Sequence, residues 1–226
     1  MHNIVTIIPA RGGSKGVAKK NIIDLAGQPL ISYPILDSLR VREISETFVS
    51  SDDVEILDIA KKFGAELVER PKALATDKSL DIDWALHFLS WFKKRYLKYP
   101  TYIVLLRTTT PIREIEVIER AINKIKKYPE ATSLRSVEEF SESPYKWFNL
   151  NNDFLFPLMG SFNDTDKPRQ LMPRVYKPNG YVDILKTETL LRDELYGKKI
   201  LSFVTPKSVE IDTYDDFKYA EYIINS

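Results

Sequence analysis

Residues 4–20 read IVTIIPARGGSKGVAKK: an apolar, β-branched run passes directly into a glycine-rich loop whose only charges are positive. The run predicts a buried strand over 4–9. Gly12, Gly13 and Gly16 admit backbone angles closed to other residues, so successive N–H groups can converge on an anion. Arg11, Lys15, Lys19 and Lys20 surround them with no acid among them. Arg11 offers phosphate oxygens a planar fork, and Lys15 a mobile point charge. The alternative is a solvated basic loop after an edge strand. The loop's place at the carboxyl end of a strand, where the ligand crevice of an open α/β sheet lies, favours a phosphate cradle.

A chain of 226 residues suffices for one large α/β domain or, as expected here, a core carrying a small appendage. Lys plus Arg number 33 against 32 for Asp plus Glu, so the net charge of +1 gives no reason to expect a nucleic-acid surface, and the partner should be small and anionic. The absence of cysteine excludes disulfides, a thiolate nucleophile and a Cys-based zinc site. No signal-type segment opens the chain and no apolar run approaches the ~20 residues of a membrane span, which makes the cytoplasm the default expectation.

Beyond the loop, the turn at Ala26-Gly27-Gln28 leads to Pro29, placed as at the first position of a helix running to Leu39 in spite of Pro34. A strand over 46–51 ends in Ser51-Asp52-Asp53, candidate caps for a helix over 54–63 that Gly64 stops. A third strand, 66–69, enters the polar loop 70–79. Residues 80–96 read as a long helix with Ile82, Leu86, Leu89 and Phe92 inward. Strand, helix and strand recur at 102–106, 115–128 and 131–137. This alternation argues for an α/β protein with a mainly parallel open sheet and helices on both faces. From Glu138 the rhythm breaks. Residues 141–175 are rich in Pro, Asn, Phe and Tyr, and place Trp147, Phe148, Phe154, Phe156, Leu158 and Met159 in short extended pieces. Such a segment is too long for a simple loop and cannot bury its aromatics alone, so 138–176 is expected to form a small inserted subdomain that makes a homodimer. Strand character returns at 180–185 and 200–204, and an amphipathic helix over 214–224 closes the single domain of residues 1–226.

Neither the Walker A spacing nor the G-x-G-x-x-G fingerprint is present. The unbroken stretch Ile8 to Gly16, IPARGGSKG, followed by Lys20-Asn21, resembles instead the signature of the acylneuraminate cytidylyltransferases, the CMP-sialic acid synthetases. Similar motifs follow in order over almost the whole chain: VSSDD at 49–53, RPKALATD at 70–77, LLRTTTPIR at 105–113, KPRQLMP at 167–173, KPNGYVDI at 177–184 and VEIDT at 209–213. The resemblance implies a Rossmann-like, GT-A-type nucleotidyltransferase. It implies that Ala10, Arg11, Gly12, Gly13, Ser14, Lys15, Lys20, Asn21 and Arg70 hold CTP, and that Arg107, Lys146, Arg169, Gln170, Lys177, Asn179 and Asp183 face an acidic sugar. A carboxylate is well held by a paired Arg and Lys, which suits Arg169 and Lys146; exposed charges of the insertion are the other reading. Arg107 stands where the sialic acid enzymes carry glutamine, and Asp183 where they carry tyrosine. Both changes fall on the sugar side, so legionaminate, pseudaminate or a Kdo-like acid is the alternative substrate.

Glu210 and Asp212 lie two apart on an extended segment and so point to one side, a geometry for one hard cation; a helix cap is the ordinary reading of such acids. The resemblance implies Mg²⁺. The expected reaction is attack of the anomeric hydroxyl of a 2-keto-3-deoxy sugar acid on the α-phosphorus of CTP, with Arg11, Lys15 and the metal on Asp212 stabilising charge as pyrophosphate leaves. A GT-A-like glycosyltransferase is the rival from another class, but residues 105–110 lack its Asp-x-Asp motif.

Overall fold

A computed structural model describes residues 3–13, 17 and 19–226. The opening run forms β1 (Ile4–Pro9), whose side chains are buried on both faces. That is the condition of a central strand in a parallel sheet, where alternation gives way to a continuous apolar run. After the loop come the two-residue partners β2 (Asp24–Leu25) and β3 (Gln28–Pro29), then α1 (Ser32–Arg40), β4 (Thr47–Ser51), α2 (Val54–Lys62) and β5 (Glu66–Glu69). Next are α3 (Asp81–Tyr96), β6 (Tyr102–Leu105), α4 (Ile115–Lys126) and β7 (Ser133–Phe140). A projecting segment carries β8 (Phe148–Asn151), β9 (Phe154–Pro157) and the single turn α5 (Phe162–Thr165). The chain returns through β10 (Val175–Lys186), α6 (Thr187–Leu190), β11 (Ile200–Val204) and α7 (Tyr214–Asn225).

Seven strands make the main sheet in the order β11-β7-β10-β6-β1-β4-β5. All pairings are parallel except those of β10, which runs antiparallel between β6 and β7. The period-two alternation of β1 divides the core. Ile4 and Ile8 face α1, α2 and α4 through Ile35, Leu57 and Ile118. Val5 and Ile7 face α3 through Phe88, Leu89 and Phe92, with Phe48 tilted against Phe88 at 5.3 Å. The inward side of α3 is thus Trp84, Ala85, Phe88, Leu89 and Phe92, one position round from the expected Ile82 and Leu86. A third cluster seats α7 on the β2–β3 pair through Leu25, Leu30, Phe217 and Ala220.

The structure moves several expected boundaries. Pro29 pairs with Asp24 across β2–β3 and does not open a helix. The helix starts three residues later, and Pro34 falls in its first turn, where the missing N–H has no intrahelical partner to lose. Strands β7 and β10 both run further than expected, pairing Val175 with Phe140 and Lys177 with Glu138 before the register shifts between Pro178 and Asp183. Their extension is a two-stranded stalk. It carries the β8–β9 hairpin, on which Leu150, Phe154, Leu155 and Phe156 are exposed.

Candidate active site

Three strand ends meet on one edge of the sheet: Arg11 follows β1, Arg70 follows β5, and Arg107, Thr108 and Thr109 follow β6. The chain passes from β1 outward to β5 and then reverses to β6, on the other side of β1. That reversal leaves a crevice at the carboxyl ends. A cavity of about 450 Å³ occupies it, lined by Pro9, Arg11, Lys20, Asn21 and Arg70, by Leu74 to Asp77 and Ser79 to Asp81, by Trp84 and Arg107 to Thr109, and by Asp212.

The basic loop is tied down by its neighbours. Ala10 is buried and donates its N–H to the Ser50 carbonyl at 2.9 Å. The Gly12 N–H is taken by the Asp52 carboxylate at 3.0 Å, and a Cβ on Gly12 would stand 2.8 Å from Asp53 Oδ2. Glycine is required there because the acids after β4 press on it. Asp53 itself caps α2, accepting from the Glu55 N–H at 2.8 Å. The two acids therefore divide the work: one anchors the loop, the other starts the helix. The Asn21 amide bridges the loop to β6, donating to the Arg11 carbonyl at 2.8 Å and accepting from Thr108 Oγ1 at 2.5 Å. Gly13 lies on the described part of the loop, with open space about its α-carbon. Ser14, Lys15 and Gly16 lie outside the described residues.

Arg11 donates to the Thr76 carbonyl at 3.0 Å and lies 3.1 Å from Asp77, across the mouth of the cavity. Lys20 Nζ donates to the Ile211 carbonyl at 2.9 Å and to Asp212 Oδ1 at 3.1 Å. The capping reading of Asp212 gives way here. Thr213 caps α7, accepting from the Asp216 N–H while Asp216 answers the Thr213 N–H, so the Asp212 carboxylate is left to the cavity. Glu210 does not line the cavity with Asp212; it stands 3.6 Å from Lys177.

Of the seven residues expected on the sugar side, Arg107 alone lines the cavity. Asn179 is buried and donates to Thr205 Oγ1 at 2.7 Å. Asp183 is also buried, accepting from the Tyr196 hydroxyl at 2.8 Å and the Ser136 N–H at 3.1 Å. Both are internal braces of β10. Lys146, Arg169 and Gln170 sit on the projecting segment, and Lys177 on the stalk; none lines the cavity.

Arg107 Nη2 meets Asp81 Oδ2 at 2.5 Å, and Trp84 Nε1 holds the other oxygen at 2.9 Å. Burial works against ionisation of Asp81, but Arg107 and the indole outweigh it and hold the carboxyl below its usual value. Arg113, whose side chain is fully buried, donates to the carbonyls of Arg107 at 2.7 Å, Tyr181 at 2.6 Å and Gly180 at 3.3 Å, and so joins the end of β6 to β10. Asp81 and Trp84 escape sequence reasoning because they look like an ordinary helix start.

A cationic crevice at the switch point of a mostly parallel sheet defines a nucleotide-binding α/β protein. Comparison with known proteins narrows the class. The model of a family described as "Cytidylyltransferase" matches residues 5–194. The N-acylneuraminate cytidylyltransferase of Escherichia coli is 30% identical over 96% of this chain, which spans 51% of that relative's length. The CMP-N,N'-diacetyllegionaminic acid synthase of Legionella pneumophila is 30% identical, over 98% of this chain and 96% of its own. Among solved structures, a CMP:2-keto-3-deoxy-manno-octonic acid synthetase complexed with CTP superposes with a TM-score of 0.73 at 17% identity, covering 98% of both chains. The chain belongs to the cytidylyltransferase family.

Proposed function

We propose that the protein transfers CMP from CTP to the anomeric hydroxyl of a 2-keto-3-deoxy sugar acid, with sialic acid or a relative such as legionaminate, pseudaminate or a Kdo-like acid as substrate. The bond from the hydroxyl oxygen to the α-phosphorus forms, the bond to the β-phosphate oxygen breaks, and pyrophosphate and the hydroxyl proton are released. The carrying observation is that Arg11, Lys20 and Arg70 line the cavity together with Asp212, a carboxylate free of capping duty. Phosphoryl transfer is largely positioning and charge neutralisation, which is what such a set supplies. Arg11, Lys15, Lys20 and the loop of Gly12, Gly13 and Ser14 hold the triphosphate, and Asn21 keeps loop and β6 in step. Asp212 suits Mg²⁺, which prefers one or two carboxylates plus substrate phosphates, with Glu210 as a more distant contributor. Bound there, the ion would supply Lewis-acid neutralisation of phosphate charge.

The sugar carboxylate calls for cations beyond those in the crevice. Lys146, Arg169 and Gln170 reach it in this reading from the 138–176 subdomain of a second copy, with Lys177 on the stalk that carries it. The exposed Phe154 and its neighbours are the apolar face that two-fold association would bury. Light scattering at micromolar concentration is expected to give a homodimer; a fully active monomer would remove the idea. The reaction belongs in the cytoplasm with its CTP. Among the described residues no helix is long and apolar enough to cross a membrane. Pyrophosphate release from CTP, assayed with a panel of 2-keto sugar acids with and without Mg²⁺, tests the whole reading. Release is expected with at least one acid, and its absence with all of them would favour the glycosyltransferase rival or a catalytically silent nucleotide-binding protein.

A further inference from the structure

The crevice is assembled on one short turn. Residues 107–113 lead from the end of β6 towards α4, and three parts of the site hang from them. Arg107 itself lines the cavity. Thr108 Oγ1 donates to Asn21, which holds the basic loop through the Arg11 carbonyl. The Thr109 carbonyl accepts the Ile211 N–H at 2.7 Å, which sets the place of Asp212 next along the chain. We propose that Asp37, outside the cavity, is a positioning residue for all three: its carboxylate holds the Arg113 guanidinium on the backbone carbonyls that close this turn. The proposal rests on the reaction proposed above and adds to it a residue on which the geometry of the crevice depends.

Arg113 closes the turn on itself and onto β10. Its Nη2 donates to the Arg107 carbonyl at 2.7 Å and to Gly180 at 3.3 Å, and its Nε to Tyr181 at 2.6 Å. The side chain has no exposed surface, so its charge is costly unless an opposite charge stands near. Asp37, from the buried side of α1, supplies it, with Oδ2 3.9 Å from Nη1. Both atoms are buried, and neither makes a hydrogen bond among the described residues. The pair therefore acts through charge alone. For folding it is a poor device, since apolar side chains of similar volume serve as well or better. What the charge secures is a planar fork of donors that reaches carbonyls on two neighbouring segments at once, and no neutral side chain offers that.

Burial pushes the Asp37 carboxyl up to about 6, against the pull of Arg113 and of Arg40 on its own helix. Tyr181 on β10 also feels its charge. The strands that α1 packs on, β1, β3 and β4, carry no titratable side chain, and the faces that α2 and α4 bury are apolar. The Asp37 side chain keeps 12% exposure, which gives a proton access from solvent. A carboxyl raised in the folded protein contributes stability below the ordinary carboxylate range and loses it as the pH rises through about 6. Its contribution to the reaction has the opposite sign, because only the ionised form holds Arg113. Rate and stability are thus expected to move in opposite directions, which a pair kept for folding would not produce.

Pyrophosphate release from CTP and the melting temperature, followed from about pH 5 to about pH 8 in wild type and Asp37→Asn, test the assignment. At the alkaline end Asp37→Asn should turn over about 10-fold more slowly, since small displacements of positioned groups are costly in rate, with the melting temperature held or raised. The gap should close towards the acid end, where the wild-type carboxyl carries its proton. Arg113→Lys keeps the charge but not the fork, and should be slow at every pH. A folded Asp37→Asn with the wild-type rate at the alkaline end overturns the proposal and leaves the cytidylyl reading standing; so does a rate that falls only in step with a lowered melting temperature. A wild type that releases no pyrophosphate with any sugar acid overturns both. Should Asp37→Asn not fold, Arg113→Lys decides: an undiminished rate overturns the proposal.

Discussion

Replacing Asp212 by Asn should abolish most pyrophosphate release from CTP, by ~10²-fold or more, while leaving the melting temperature nearly unchanged. The activity loss follows from chemistry, since a neutral amide keeps the shape of the carboxylate but not the charge that draws a hard cation to phosphate oxygens. The small stability effect follows from the geometry. Capping of α7 belongs to Thr213 and Asp216, so it survives the change. The ion pair with Lys20 lies at a side chain 67% exposed, where such pairs contribute roughly 0–1 kcal/mol. The deciding measurement is the Mg²⁺ dependence of the initial rate. An unchanged half-saturation concentration and an unchanged maximum would exclude Asp212 as a ligand.

Arg11→Ala is the second large effect expected, again ~10²-fold in turnover with folding intact. A preorganised guanidinium that meets charge developing on the triphosphate is worth several kcal/mol to the transition state. Its contacts in the unliganded protein are weak by comparison. The pair with Asp77 is exposed at 35% and 50% of the two side chains, and the bond to Thr76 joins it to a surface loop. Pyrophosphate release should fall far more than thermal stability. A variant with wild-type turnover and melting temperature would remove Arg11 from the cradle.

The basic loop's place at the crevice was legible because its chemistry is local. Glycines and cations within ten residues of a buried strand carry their own argument, and Arg11, Lys20 and Asn21 do converge on the cavity. The places of the motif residues further along the chain were not, because a polar residue in a suggestive motif can serve either ligand or fold. Asn179 and Asp183 lie on the inner part of β10, which is buried, where polar side chains must find internal partners. Asp81 shows the converse. Its meeting with Arg107 joins residues 26 apart through the packing of α3 beside the end of β6, and no local pattern announces it. Pro29 misled for a simpler reason, since the same fixed φ serves the first turn of a helix and the partner strand of a two-residue pair.

Arg113 bears on how the crevice opens. Burial pushes its guanidinium down to about 10, in spite of Asp37 at 3.9 Å. Its Nε and Nη2 nonetheless donate to backbone carbonyls just past β6 and on β10. Sliding one strand past the other would strand that charge without acceptors, so the floor moves as a single block. The bonds that can yield are those at the rim, where Arg11 reaches Thr76 and where Thr76 and Ser79 hold one another, all of them exposed. On the proposed function, a nucleotide entering the crevice would displace these rim bonds and leave the sheet beneath them in place.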